Sequence, residues 1–283
     1  MNISLPYVDG TISELEAGNR DLIDKHGQHM HWGYWRDTKD PDTSIDGYKA
    51  AADEMVFQHF DMARIRPGHK ILEVGCGFGG AIILLNEHYE NIDVTGSNID
   101  SRQIEWARKT VAPQVRPSNR IAFDVADACA LPYPDASFDT VYAIECIFHF
   151  SSRKKFLEEA HRVLRPGGIL VVSDLVVRVS TLGLMMAIEP WYRQDFRRSY
   201  GEPNPPFSEA LYRLAGRLVG LPMVDLRDVT SNTLPTCKAL RHWNGRMERL
   251  GLGAAFERAN RYLELTARMR MVRYQLYAFE KRR

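Results

Sequence analysis

Cysteine is scarce: Cys76, Cys129, Cys146 and Cys237 are the four in 283 residues, and no two stand in a CxxC or other metal-ligand spacing. A disulfide scaffold and a structural zinc site are both excluded on that count, and the four read as reduced packing residues of a cytosolic protein. Charge of one sign is equally lacking, because 37 Lys and Arg against 36 Asp and Glu leave a formal charge of +1. Nothing global draws such a chain to nucleic acid or to anionic lipid. No segment approaches the ~20 apolar residues of a membrane span, and MNISLPYVDG has neither the basic nor the apolar region of a signal peptide. Repeats and low-complexity tracts are missing too. The expectation is a globular cytoplasmic chain with no membrane partner, and the Glu280–Arg283 ending reads as a solvated basic tail.

Hydrophobic residues make up 45% of the chain, enough for one large α/β domain with an elaboration. The pattern changes near Pro67-Gly68. Residues 1–66 carry helical spacing interrupted by the aromatic stretch HMHWGYW, His29 to Trp35. From Lys70 onward short apolar runs alternate with helical ones: KILEVGCG, GGAIILLNEHY, IDVTGSNI, SRQIEWARKTV, RIAFDVADA, FDTVYAIECIF, KKFLEEAHRVL, GGILVVSDLVV. That tempo predicts an α/β fold, a doubly wound, mostly parallel sheet with helices on both faces, its core over 67–178. Residues 179–221, aromatic and interrupted by proline, read as an inserted helical cap. In 222–283, MVDLRDVT resumes as a strand, a long helix is expected from about Cys237 to Ala267, and MVRYQLYAFE alternates with period two as an edge strand would.

Glu73-Val-Gly-Cys-Gly-Phe-Gly-Gly80 ends the first strand of that core. Glycines there allow a sharp turn and bare peptide against a ligand, with a helix N-terminus just beyond. Gly75, Gly77 and Gly80 also satisfy GxGxxG, so a dinucleotide site is the competing reading. Glu73 argues against it, since its carboxylate would repel a pyrophosphate and accept an ammonium group. Ligands of open α/β sheets lie across the carboxyl ends of the strands, and there the chain has Asn98 and Asp100, then Asp127-Ala128 leading into LPYPDASFD, then Glu145. With LRPGG before the next strand, these features from Lys70 to Val177 resemble the class I S-adenosylmethionine-dependent methyltransferases. The resemblance implies a Rossmann-like, seven-stranded sheet with S-adenosyl-L-methionine as cofactor. It also implies that the Gly75, Gly77 and Gly79 loop passes under the methionine part, with Glu73 supporting its amino group. Asn98 takes the ribose-facing position with Gln103 following, Asp127 accepts from the adenine amino group, Ala128 or Cys129 offers backbone N–H, and Glu145 borders the cofactor. Asn98 departs from the acidic residue frequent in the family, and a neutral amide loses the charge-assisted part of a ribose bond.

VYAIECIFHF looks like the corresponding segment of sterol, tocopherol and macrolide-type methyltransferases, and HMHWGYW is placed as in that group. This implies catalytic roles for His149, His31 and Glu145, with His29 a weaker candidate, and a substrate pocket built from Trp32, Tyr34, Phe148, Phe150, Trp191 and Tyr192. His149 would take the acceptor proton, an imidazole titrating near working pH. HMHWGYW would be a lid pivoting on Gly33; the alternative is a staple holding an N-terminal helix to the core. The aromatic inventory points to a small lipophilic acceptor of secondary metabolism, with carbon methylation of an isoprenoid-type alkene the leading expectation. Oxygen or nitrogen methylation of a polyketide or glycoside is the alternative, and a cyclase on the same fold a further one. No metal-ligand cluster is visible. Nucleic acid is disfavoured as a partner, because ECIFHF stands where a base-flipping NPPY-type motif would be. A homo-oligomer is compatible with the sequence.

Overall fold

Successive residues of a strand point to opposite faces, and here both faces are greasy. Ile71, Tyr142, Val171 and Leu276 fill one side of a sheet, and Leu72, Val141, Leu170 and Tyr277 the other. The computed structural model describes residues 5–19, 29–202, 204–243, 248 and 253–282. Its strands are β1 (Lys70–Val74), β2 (Asp93–Asn98), β3 (Arg120–Val125), β4 (Phe138–Ala143), β5 (Leu164–Val177), β6 (Met223–Asp228) and β7 (Val272–Glu280). They form one sheet in the order β3-β2-β1-β4-β5-β7-β6, in which β7 alone runs against its neighbours.

The helices are α1 (Pro6–Glu16), α2 (Ile45–Ala63), α3 (Gly80–His88), α4 (Ser101–Val111), α5 (Arg153–Val163), α6 (Leu182–Tyr200), α7 (Glu209–Leu218) and α8 (Gly253–Arg268), with short turns at Thr230–Thr233 and Pro235–Ala239. Several begin where the sequence provides a cap: Asp100 accepts from the Arg102 N–H, Ser152 from Lys155 and Ser208 from Leu211. α2, α3, α4 and α8 cover one face of the sheet, and α5 and α7 the other. The order reverses at β1, flanked by β2 and β4, which opens a crevice at the carboxyl ends of the parallel strands.

Four expectations change. MVRYQLYAFE is no edge strand: β7 is paired along its length with β5 and with β6, and it is buried almost continuously, Gln275 included. The cap is shorter than 179–221, because Tyr212 and Ala215 of α7 pack into the core with Leu72 and Leu170. α6 is the inserted element, a 19-residue helix containing Pro190. It lies on α8 through Tyr192 stacked on Tyr262 at 3.7 Å and a two-pronged Arg258–Asp195 ion pair. The helix expected over Cys237–Ala267 is broken after Ala239, with α8 starting at Gly253 and most residues between 244 and 252 outside the described set. Within the expected solvated tail Lys281 is anchored, its Nζ donating to the carbonyls of His161 and Leu164 at 2.8 Å each, while Arg282 is exposed. Among the described residues no helix is long and apolar enough to cross a membrane.

Candidate active site

The turn after β1 makes the floor of a cleft. Gly75 has φ +76°, and a Cβ there would lie 2.5 Å from Cys146 Sγ, so only glycine fits between this loop and the end of β4. Gly79 also has positive φ, +87°, but faces away from the cleft: its Cβ would meet Val111, Ala107 and Phe123. It therefore lets α4 and β3 approach, which corrects its expected place under the methionine part. Glu73 is buried at 4% exposure with Tyr142 donating to Oε2 at 3.1 Å, and burial pushes its carboxyl from 4.5 to about 8. Asn98 Nδ2 donates to Gln103 Oε1 at 2.7 Å, so these two side chains hold one another at the cleft wall. Asp127 Oδ1 accepts the Cys129 N–H at 2.8 Å. That N–H is therefore spent inside the turn, leaving Ala128 as the backbone candidate of the two. Glu73, Gly75, Gly77, Asn98, Gln103, Asp127 and Ala128 all line one cleft. A bare glycine floor, a buried acid starved of countercharge and amide and carboxylate groups further along suit a cation attached to a nucleoside.

A second cavity, of about 760 Å³, opens beside the cleft under α6. The two share Tyr7, Met30, His31, Glu145 and His149 as walls. Phe148 and Tyr192 line the large cavity, and Phe150 borders the cleft. Trp191 is 84% exposed on the outer side of α6, and Tyr34 packs against the core, so neither lines the cavity. Helical periodicity explains Trp191: one residue from the inward-facing Tyr192, it is turned ~100° away.

HMHWGYW is pinned along its backbone. The Trp32 N–H donates to Glu145 Oε2 at 2.8 Å, Gly33 N–H to Thr236 Oγ1, Tyr34 N–H to the Ala51 carbonyl and Trp35 N–H to that of Asn232. Trp32 and Trp35 are 6% and 5% exposed. A Cβ on Gly33 would lie 2.7 Å from that of Ala51; the glycine serves close approach to α2 and not a pivot. Four consecutive N–H groups thus hold the stretch against α2, the residue Glu145 beyond β4 and the turns beyond β6, where it walls the junction. What roofs the cleft is α1, whose Tyr7 and Val8 line it while Val8, Ile12 and Leu15 pack with Phe78.

Glu145 has an uncommon left-handed backbone, φ 48°. Its Oε2 accepts from both the Trp32 N–H and the Tyr274 hydroxyl, 2.8 and 2.6 Å, and the rings of those two residues stack. Burial raises its carboxyl to about 8 against those bonds. It ties three distant pieces of chain together at the junction. His149 stacks on Tyr7, whose hydroxyl is 3.4 Å from Nε2. Burial and the nearby Arg153 lower its pKa from 6.5 to about 4. His29 also lines the cleft, beside the His31 ring, with its Nε2 2.9 Å from Asp53 Oδ1.

Tyr7 on the shared wall and Tyr274, buried behind Glu145, are residues that the motifs did not reveal, having no fixed spacing from the glycine loop. Nor did they reveal Arg153, whose Nε donates to the fully buried Asp174 at 2.7 Å while its Nη1 holds the Pro205 carbonyl at 3.2 Å, fastening the return from the cap. The serine before it, an N-cap signal, marked only the helix start. Among the described residues no group of three or more His, Cys, Asp or Glu could hold a metal ion.

Residues 72–172 match the methyltransferase domain family. Over 214 residues the chain is 36% identical to the methyltransferase GfsG of Streptomyces halstedii, covering 75% of this chain and 72% of that one. It is 36% identical over 165 residues to the 27-O-demethylrifamycin SV methyltransferase of Amycolatopsis mediterranei strain S699, 58% of each. In structure it superposes on the [4+2]-cyclase SpnF with a TM-score of 0.76 at 24% identity, covering 100% of this chain and 98% of the other, a likeness of fold. Glycine floor, acid-lined cleft and relatives together make this chain a member of the class I S-adenosylmethionine-dependent methyltransferases, of the branch that acts on natural products.

Proposed function

We propose that this enzyme methylates a hydroxyl oxygen of a large, mostly apolar natural product of polyketide type. The observation that carries the reading is the junction. A cavity of about 760 Å³ meets the cofactor cleft at two imidazoles, His149 and His31, that burial keeps neutral. That volume stands in the upper part of the ~300–1,000 Å³ range of small-molecule sites. S-adenosylmethionine supplies an electrophilic methyl group; the chain's own part is to hold the acceptor oxygen in line, keep water out and receive a proton. Glu73 would face the cofactor's ammonium group, Asp127 the adenine amino group and Asn98 with Gln103 the ribose. Carbon methylation of an isoprenoid alkene has less support, because it leaves a carbocation best met by π faces, whereas the shared wall carries imidazoles, a phenol and a carboxyl. The 27-O-demethylrifamycin relative adds weight to oxygen.

Incubation with methyl-labelled S-adenosylmethionine and a panel containing 27-O-demethylrifamycin SV, simpler hydroxylated macrolactones and geranyl diphosphate tests this. The expected product is a labelled methoxy group on a macrocycle. Label on carbon of geranyl diphosphate, with none on any hydroxyl, would replace oxygen by alkene methylation. Cyclised acceptor without release of S-adenosylhomocysteine would point to a cyclase.

A further inference from the structure

His31 stands on the wall common to cleft and cavity, and its protonation is dictated by its neighbour. Nδ1 lies 3.0 Å from the carbonyl oxygen of Trp32. A carbonyl can only accept, so Nδ1 carries the hydrogen and Nε2 of the neutral ring keeps a bare lone pair. Nε2 is buried, in a residue 7% exposed, and has no hydrogen-bond partner among the described residues. Burial, reinforced by His29, holds the ring well below 6.5 and therefore neutral. The backbone is fixed on either side: Tyr48 donates to the His31 carbonyl at 2.8 Å, and the next N–H is held by Glu145. His149 is less determined. Its Nδ1 is likewise buried without a partner among the described residues, but its Nε2 faces the Tyr7 hydroxyl, a group that can donate or accept, so the protein does not select its tautomer.

A buried lone pair with no partner calls for a donor on the bound ligand. The carboxylate of the cofactor's amino-acid end cannot provide one, and its ammonium group is matched by Glu73. An acceptor hydroxyl can. Resting on the oxygen-methylation reading above, we propose that His31, through Nε2, is the base of methyl transfer, and that Tyr7 with His149 positions the acceptor. As the hydroxyl oxygen bonds the methyl carbon, the carbon–sulfur bond breaks with its electron pair going to sulfur. The O–H pair stays on oxygen and the proton passes to Nε2. The imidazolium so formed strengthens its existing Nδ1–H bond to the Trp32 carbonyl, a charge-assisted bond already in place.

Two measurements test this. Nitrogen NMR of ¹⁵N-histidine-labelled protein should find His31 in the Nδ1–H tautomer, unaltered by S-adenosylhomocysteine. A hydrogen on Nε2, or a large shift of Nε2 on adding S-adenosylhomocysteine, assigns His31 to the cofactor and overturns the proposal. Labelled methyl transfer to 27-O-demethylrifamycin SV is then compared for His31→Asn and His149→Asn. Asparagine keeps a donor toward the Trp32 carbonyl and removes Nε2 with the outer part of the ring, so the variant should stay folded with a modest loss of melting temperature and bind S-adenosylhomocysteine as wild type does. His31→Asn should lower kcat by ~10²–10⁴-fold, and His149→Asn by less than about tenfold with a raised KM, as for a positioning group. A folded His31→Asn enzyme with near-normal kcat overturns the proposal while leaving oxygen methylation intact. A wild-type enzyme that labels no hydroxyl in the panel overturns the reading beneath it, and the proposal with it.

Discussion

Two tryptophans show how little a residue's type says about its task. Trp32 is 6% exposed and stacks on Tyr274, while Trp191, which the sequence placed in the same pocket, is 84% exposed. Trp32→Ala should cost about 3–5 kcal/mol of stability, the usual loss for a buried ring, and Trp191→Ala less than about 0.5 kcal/mol. Denaturant titration of both mutants checks this; equal midpoints would mean that the 29–35 stretch is looser than its hydrogen bonds imply. Asp127 has a turn-capping job as well as its place on the cleft. Asp127→Ala should weaken S-adenosylhomocysteine binding by about 1–3 kcal/mol, whereas Asp127→Asn retains an oxygen for the Cys129 N–H and should lose less. Calorimetry separates them, and an unchanged dissociation constant in both would remove Asp127 from the adenine site.

At the scale of elements, α1 is the part that must give way for cofactor exchange, since Tyr7 and Val8 roof the cleft. Its packing rests on Val8, Ile12 and Leu15 with Phe78, joined by an exposed ion pair between Asp9 and Arg102. A surface pair of that kind contributes about 0–1 kcal/mol, so the apolar contacts decide the opening rate. Ile12→Ala should speed S-adenosylhomocysteine release severalfold and leave single-turnover chemistry unchanged, because a roofing helix gates exchange without touching the reacting atoms. Stopped-flow displacement measures it; an unaltered off-rate would show that ligands leave by another route. By contrast the 29–35 wall, bonded to α2, β4 and the turn beyond β6, should protect its amides from exchange as well as the core does.

For the whole molecule, five buried groups shape the dependence of stability on pH. Glu73 and Glu145 rise from 4.5 to about 8, so the folded state holds protons that the unfolded chain releases between those values. Stability from these two is full below about 4.5 and is lost as pH climbs through 8. His149 and His59 move the other way, from 6.5 to about 4, and His31 also falls well below 6.5, so the contribution of these three is full above 6.5 and is lost as pH falls toward 4, outweighing the two carboxyls below 6.5. The ligand-free protein should melt highest near about pH 6–7, with Glu73→Gln flattening the alkaline limb. A cationic cofactor stabilises the ionised form of Glu73, so binding should release a proton and tighten with pH up to about 8 in wild type more than in Glu73→Gln. Equal pH slopes for the two would show that Glu73 does not meet the cofactor's charge.

The strand–helix tempo from Lys70 was enough for fold class, because it acts through neighbours close in the chain, and the cofactor followed from the family resemblance that the glycine turn and the strand-end acids carry. The resemblance of VYAIECIFHF and HMHWGYW to segments of known methyltransferases marked His31, His149 and Glu145. Local spacing could not say that β7 lies inside the sheet, since period-two alternation is the same for an edge strand and an inner one whose polar residues find buried partners. Nor could it say that Trp191 faces outward, that Gly33 serves close approach, or that Tyr7 meets His149 across 142 positions. Those facts depend on which distant surfaces the chain brings together. The state of His31 belongs to both levels: the Trp32 carbonyl that holds its proton is one residue away, but the burial that leaves its other nitrogen without a partner exists only once the walls from α1, β4 and the cap have closed around it.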